Sequence, residues 1–218
     1  MSQLFKKQGG LITFEGPEGA GKTTQLERLF NYFKAQKIPC IRTREPGGAQ
    51  SVSRLRKQIL HELKKPLCQE TELFFFLADR SQHVNELIQP NLKKGKWILC
   101  DRYTDSTLAY QGGGRGFDLN DLRIMNRISS KGIQPTITIL MDIKAQVGLQ
   151  RVQKRGKQDR LQDRMEREAL SFHNRVRQTY RQLAQSEPQR FIVLNASKSP
   201  DEIFDNLLKQ LRQRRFLD

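Results

Sequence analysis

The chain has 218 residues, 36% hydrophobic and 28% charged, enough for one sizeable α/β domain and short for two. No run approaches the ~18 consecutive apolar residues of a membrane helix, and the N-terminus carries two lysines but no long apolar stretch or small-residue cleavage site, so no membrane span and no signal peptide are expected. The formal net charge of +16 fits a nucleic-acid-binding face, a field that draws in an anionic substrate, or a basic solvated surface; with no RNP-type aromatic pattern, zinc finger or basic zipper, charge alone does not carry a nucleic-acid reading.

In chain order, Leu11-Ile12-Thr13-Phe14 is a short run of β-formers that ends at Glu15-Gly16. A Gly-rich loop follows, then helical spacing from Thr23 to Gln36 with Leu26, Leu29, Phe30 and Phe33 on one face. A second strand opens at Ile38-Pro39-Cys40-Ile41 and runs out in Thr43-Arg44-Glu45-Pro46-Gly47-Gly48. Helical pattern returns from about Ser53 to Leu63 and again from Glu70 to Lys93, where Pro90 is expected to kink or divide the helix. Trp97 to Cys100, Thr136 to Met141 and Phe191 to Leu194 read as strands, and Pro200 to Phe216 as a closing helix. The polar or Gly-rich segments follow the strands: Gly16 to Thr23, Arg44 to Gly48, Asp101 to Gly116 and Asn195 to Pro200. Strands alternating with helices imply βαβ units, a parallel sheet with helices on both faces, and ligands at the carboxyl ends of the strands. No linker or 20-to-50-residue repeat divides the chain, so residues 1–218 are expected to form one domain. Cys40, Cys68 and Cys100 have no C-x-x-C spacing, which suits free thiols in a reducing cytosol and a cytoplasmic protein.

Gly16-Pro17-Glu18-Gly19-Ala20-Gly21-Lys22-Thr23 fits G-x-x-x-x-G-K-[ST], with a strand before it and a helix after it. In such a loop backbone N–H groups turn inward around the phosphates of ATP, the lysine reaches the β- and γ-phosphates, and the threonine hydroxyl sits on Mg²⁺. The bland alternative is a chance glycine-rich turn. No N-K-x-D guanine box occurs, no D-x-x-G follows a third strand, and neither H-R-D nor D-F-G of protein kinases is present. Asp101, at the tip of a strand, can hold Mg²⁺ through water or accept the attacking oxygen's proton, and Arg102 can fork onto a phosphate; the alternative is a strand-terminal ion pair.

T-R-E-P-G-G at residues 43–48 and D-R-Y…A-Y-Q-G-G-G-R-G from Asp101 to Gly116 closely resemble bacterial thymidylate kinases, P-loop nucleoside-monophosphate kinases that phosphorylate dTMP with ATP. The resemblance is colinear and takes in Phe14 to Gly19, Phe76 to Arg80, Asp163 to Glu166 and Phe172 to Arg177. It implies that Phe76 stacks on thymine and that Arg80, which shares its helix face at i+4, donates to a thymine carbonyl. Phe74 and Phe75 are expected in the core. Arg44 and Arg102 resemble the arginines that hold the dTMP phosphate; Arg56 either joins them or is solvated. Thr107 and Gln111 resemble polar groups facing the base, Tyr110 the ring against the deoxyribose, and Glu18 and Glu45 acidic groups near the acceptor sugar and the metal.

Arg151, Lys154, Arg155, Lys157, Arg160, Arg164 and Arg167 fall in one stretch, read either as a solvated face or as a lid over about 150–167. The resemblance favours the lid, because the phosphate loop's variable positions carry no cation and transferring phosphoryl groups are commonly stabilised by arginines. Two Asp-Arg pairs, at 159–160 and 163–164, stand where the family often has one, so Arg160 and Arg164 are both candidates. Thr136 stands where the family usually has Asp, with an effect expected on local packing only.

The expectation is an α/β P-loop NTPase fold of about five parallel strands with helices on both faces and a basic lid. The resemblance implies ATP-dependent dTMP phosphorylation with Mg²⁺, and a homodimer packed through helices. The alternatives are a kinase for another nucleoside monophosphate, a nucleic-acid-binding P-loop ATPase, and a regulatory switch that binds nucleotide without transfer.

Overall fold

The computed structural model describes residues 9–60, 66–156 and 164–217. Strands β1 (Leu11–Glu15), β2 (Cys40–Arg44), β3 (Trp97–Asp101), β4 (Ile137–Asp142) and β5 (Phe191–Asn195) form one sheet in the order β2-β3-β1-β4-β5, and every pairing is parallel. The helices are α1 (Lys22–Ala35), α2 (Ser53–Leu60), α3 (Gln69–His83), α4 (Gln89–Lys93), α5 (Thr104–Thr107), α6 (Leu119–Ser129), α7 (Ala145–Gly156), α8 (Leu170–Ser186) and α9 (Pro200–Gln213).

Strand alternation divides the core. Ile12, Phe14, Ile139, Met141, Ile192 and Leu194 face α1 and α9, meeting Leu26, Leu29, Phe33, Leu207 and Leu211. Leu11, Ile98 and Cys100 face the other way, onto Val84, Ile88 and Tyr103. Leu140 and Phe191 meet Phe172, Val176 and Tyr180 of α8 on that same side. This second face also carries polar groups, each paired: Thr13 and Thr138 share a hydroxyl contact at 3.0 Å, and Thr138 donates to Asp105 at 3.0 Å. Phe14 pairs with Asp101 and Asp101 with Arg44, so three strand ends converge on the edge where the phosphate loop begins.

Several elements differ from the sequence reading. The second strand starts at Cys40 rather than Ile38, because Pro39 has no N–H for a ladder; its carbonyl accepts from the Trp97 N–H at 2.9 Å. The Glu70-to-Lys93 helix is divided into α3, a wide π turn at Val84–Ile88, and α4 with Pro90 in its first turn. The helix from Ser53 is described to Leu60, and residues 61–65 lie outside the described residues. Asp101 to Gly116, read from sequence only as a polar, Gly-rich segment after a strand, is largely helical: α5 runs into a π-helical stretch at Leu108–Gly114. Its three glycines serve close packing. A Cβ on Gly113 would fall 2.1 Å from the Thr179 hydroxyl and one on Gly114 2.4 Å from the Phe172 ring, both on α8. Thr136 acts locally as expected: its hydroxyl accepts from the Leu11 N–H at 3.3 Å.

Candidate active site

Gly16 (φ 137°) and Gly21 (φ 81°) turn the phosphate loop, and a Cβ at Gly16 would lie 2.4 Å from the Met141 carbonyl oxygen. The loop delivers the chain into the N-terminus of α1, whose first-turn N–H groups face the loop. Lys22 is buried and its Nζ donates to the carbonyls of Pro17 (2.8 Å) and Gly16 (3.1 Å). Burial first, and then the charge of Arg102, push its pKa down to about 8. The Thr23 hydroxyl donates to Asp101 Oδ2 at 2.6 Å, which puts two oxygen ligands side by side at the head of the loop. That pair fits Mg²⁺, which takes hard oxygen donors and needs only one or two carboxylates beside phosphates and water. Among the described residues there is no group of three or more His, Cys, Asp or Glu suited to a metal.

Arg102 follows β3 with φ 69°, its N–H donating to the Phe14 carbonyl at 3.0 Å. The guanidinium is thereby carried across the phosphate loop. Nη1 donates to the Gly16 carbonyl at 3.2 Å, and Nη2 donates to Glu18 Oε1 at 2.5 Å and to the Tyr110 hydroxyl at 2.9 Å. The Tyr110 hydroxyl in turn donates to Glu18 Oε1 at 2.7 Å. Burial alone would raise the Glu18 carboxyl; the charges of Arg102 and Lys22 and the Tyr110 hydroxyl outweigh it and hold the pKa at about 2.

One cavity of about 640 Å³ joins this loop to the acceptor-side residues; Glu18 to Thr24, Arg44, Glu45, Arg56, Phe76, Arg80, Asp101, Arg102, Thr107, Tyr110 and Gln111 all line it. Phe76 is half-buried on α3, one turn from Arg80. Arg80 is 2% exposed and tightly held. Its Nε donates to Glu45 at 2.8 Å, Nη1 to Thr107 (2.9 Å) and Asn126 (2.6 Å), and Nη2 to the Tyr103 carbonyl at 3.0 Å. Glu45, expected near the acceptor sugar and metal, has both carboxylate oxygens engaged elsewhere: one by Arg80, the other by His83 Nδ1 at 2.9 Å. It therefore acts on the cavity mainly through Arg80. The loop after Glu45 is tied down by Asp79, which accepts the Gly47 N–H at 3.0 Å. Phe74, expected in the core, is 56% exposed, and Phe75 is half-buried, because the apolar side of α3 that packs inward is set by Leu73 and Leu77 instead.

Among the described lid residues, Arg151 and Arg164 are held by partners outside the phosphate loop. Arg164 pairs with Glu72 at 2.8 Å and donates to the Ile59 carbonyl at 3.2 Å, outside the cavity wall. Arg160 lies outside the described residues. Arg151 donates to the Ala196 carbonyl at 2.8 Å, and Lys154 is exposed on α7.

Sequence reasoning passed over Glu15, Asn126 and Tyr180. Glu15 is fully buried and accepts from the Tyr103 N–H (2.7 Å), the Ser106 hydroxyl (2.6 Å) and the Tyr180 hydroxyl (2.8 Å). Burial first, and then the negative charge of Asp105, raise its pKa to about 7. A signal was available: Glu15 stands in period-two register with Leu11 and Thr13, on a strand face that must be covered. Asn126 takes Arg80 on its carbonyl and donates Nδ2 to the Thr104 carbonyl at 3.0 Å.

Among the described residues no helix is long and apolar enough to cross a membrane. The family model for thymidylate kinase matches residues 14–207. A thymidylate kinase of Carboxydothermus hydrogenoformans is 49% identical over 197 residues, covering 90% of this chain and 94% of the relative. One of Nostoc punctiforme is 43% identical over 205 residues, with 94% and 96% covered. The crystal structure of thymidylate kinase from Ehrlichia chaffeensis superposes with a TM-score of 0.75 at 29% identity, covering 94% of this chain and 99% of that one. A P-loop on a five-stranded parallel sheet and a match running almost from end to end agree: this chain belongs to the thymidylate kinase family.

Proposed function

We propose that this site transfers the γ-phosphoryl group of ATP to the phosphate of dTMP, giving dTDP, in one domain closed by the 150–167 segment. The observation that carries the reading is the single cavity that runs from Lys22 in the phosphate loop to Phe76, Arg80, Thr107 and Gln111, with Arg102 at the junction. Residues 16–23 hold the triphosphate, and Lys22 exchanges its loop carbonyls for phosphate oxygens. Thr23 and Asp101 would hold Mg²⁺, which supplies charge neutralisation to the phosphates. Arg44 and Arg102 grip the dTMP phosphate, with Glu18 fixing Arg102 and Tyr110 in place. Phe76 stacks on the base, Arg80 and Gln111 meet its polar edge, Thr107 braces Arg80, and Tyr110 lies against the deoxyribose. Glu45 keeps Arg80 aimed at the base. The acceptor is already an anion, so no strong general base is needed, and positioning and electrostatics dominate. Arg160 and Arg164 are the lid's candidates for the charge that develops in transfer; Arg164 would first have to leave Glu72.

A homodimer fits the exposed apolar residues Phe74 (56%), Ile124 (49%) and Ile128 (70%), on helices α3 and α6 that pack against each other. A cytoplasmic location fits the free cysteines.

The test is turnover of purified protein with ATP and each nucleoside monophosphate in turn. dTMP should be preferred; equal or better turnover of dCMP or dGMP defeats the assignment. ATP hydrolysis stimulated by DNA or RNA and indifferent to dTMP would favour a nucleic-acid ATPase instead.

A further inference from the structure

Glu72 sits on α3 one turn before Phe76, 2% exposed and behind the cavity wall rather than in it. Its carboxylate gathers three partners. Arg115 forks onto it, Nε at 3.1 Å from Oε1 and Nη2 at 3.0 Å from Oε2. Arg164 Nη2 lies 2.8 Å from Oε2, and Gln111 Nε2 lies 3.2 Å from Oε1. Burial alone would raise the carboxyl, but Arg115 and Arg164 outweigh it and keep the pKa below the usual carboxylate range. An ionised carboxylate only accepts hydrogen bonds. Gln111 must therefore turn its amide nitrogen toward Glu72. Its carbonyl oxygen, on the same carbon, is left to the cavity that Gln111 lines, and among the described residues no hydrogen bond is made to it.

We propose that Glu72 is a positioning residue for base specificity. By fixing the Gln111 carboxamide it makes the base wall present an acceptor oxygen, so the site favours a pyrimidine with an N3–H over cytosine, whose N3 is itself an acceptor. The idea rests on the dTMP reading above and deepens it. Without Glu72 the amide could rotate by half a turn and meet either edge; with it, cytosine brings acceptor against acceptor.

The experiment is Glu72→Gln, whose neutral side chain can offer Gln111 either an oxygen or an NH₂ group. The ratio of kcat/KM for dTMP over dCMP should fall about tenfold or more, the size of one buried hydrogen bond turned into a mismatch. KM for ATP should stay where it is. In a Gln111→Leu background the same change should cause no further loss of discrimination, because Glu72 acts through Gln111. An unchanged ratio in folded Glu72→Gln protein, or a full additional loss in the Gln111→Leu background, overturns the proposal. If Glu72→Gln does not fold, the ¹⁵N-labelled wild-type chain decides. The Gln111 side-chain amide, assigned by its loss in Gln111→Leu, should show one downfield proton protected from solvent exchange; a solvent-like amide pair overturns the proposal. Absence of dTMP turnover by the wild type would defeat the dTMP reading instead, and the amide resonance would still decide whether Glu72 holds Gln111.

Discussion

Replacing Glu15 by Gln should change how stability depends on pH, in a direction and by an amount that follow from the site. Glu15 is fully buried, and its carboxyl is raised from 4.5 to about 7 in the folded chain. The folded protein thus holds this proton more tightly than the unfolded chain does. The stability it contributes is complete below about pH 4.5 and is lost as pH rises through about 7. At 1.36 kcal/mol per pH unit, the interval from 4.5 to about 7 corresponds to about 3 kcal/mol. Gln has nearly the shape of the protonated acid and no charge to bury beside Asp105. The variant should therefore gain about 3 kcal/mol on the wild type between roughly pH 4.5 and pH 8, or about 6–12 °C in Tm for a chain of this size. Any fixed difference from rearranged hydrogen bonds with Ser106 and Tyr180 cancels, because only the change in the gap with pH is read. The assay is thermal unfolding of both proteins across that pH range. Two parallel curves would refute the reasoning, as would a gap that moves the other way.

Lys22→Met should lower kcat by on the order of 10²–10³ in a coupled ADP assay while the circular dichroism spectrum stays native; undiminished transfer would sink the mechanism. Asn126→Leu leaves an Arg80 N–H buried without its acceptor and frees the guanidinium to tilt. KM for dTMP should rise about 5- to 150-fold with KM for ATP unchanged, and an equal rise in both would point to general loosening of the fold. The proposed homodimer predicts a dimeric wild type and a monomeric Ile128→Glu in light scattering; a monomeric wild type refutes the dimer, and an undisturbed dimer in the variant places the contact on another face.

The fold was legible wherever one physical rule acted alone. Strand β1 announced itself by β-formers, the loop by glycines and a lysine, and α1 by its apolar spacing; the Ser199–Glu202 capping box and Pro200 in the first turn mark the start of α9. Helix α6 was missed because its apolar stripe is divided: Leu122 faces inward with the polar Asn126, while Ile124 and Ile128 face outward. Its N-cap, Asp118, accepts the Asn120 and Asp121 N–H groups, a signal that could have marked the start. Among residues that line the cavity, Lys22 was readable from motif spacing, Arg102 from its place at a strand tip and from the family resemblance, and Arg80 from the resemblance. Residues that act by holding others were not. Glu15, Glu72 and Asn126 lie far in sequence from what they hold; Glu72 is 39 residues from Gln111 and Asn126 is 46 from Arg80. Only tertiary packing brings such partners together. Glu45 shows the reverse: its place in T-R-E-P-G-G was clear, but not that Arg80 and His83 would occupy both of its oxygens.

Gly113 and Gly114 against α8, and Gly112 against α6, leave residues 112–114 few options for change. A side chain at Gly113 or Gly114 has nowhere to go except into Thr179 or Phe172, and one at Gly112 would meet Leu119 at 2.5 Å. A variant that altered the path of this segment would have to move a 17-residue helix with it. An inhibitor that rests on the backbone beside Gln111 would thus lean on a stretch where resistance by substitution has little room to arise.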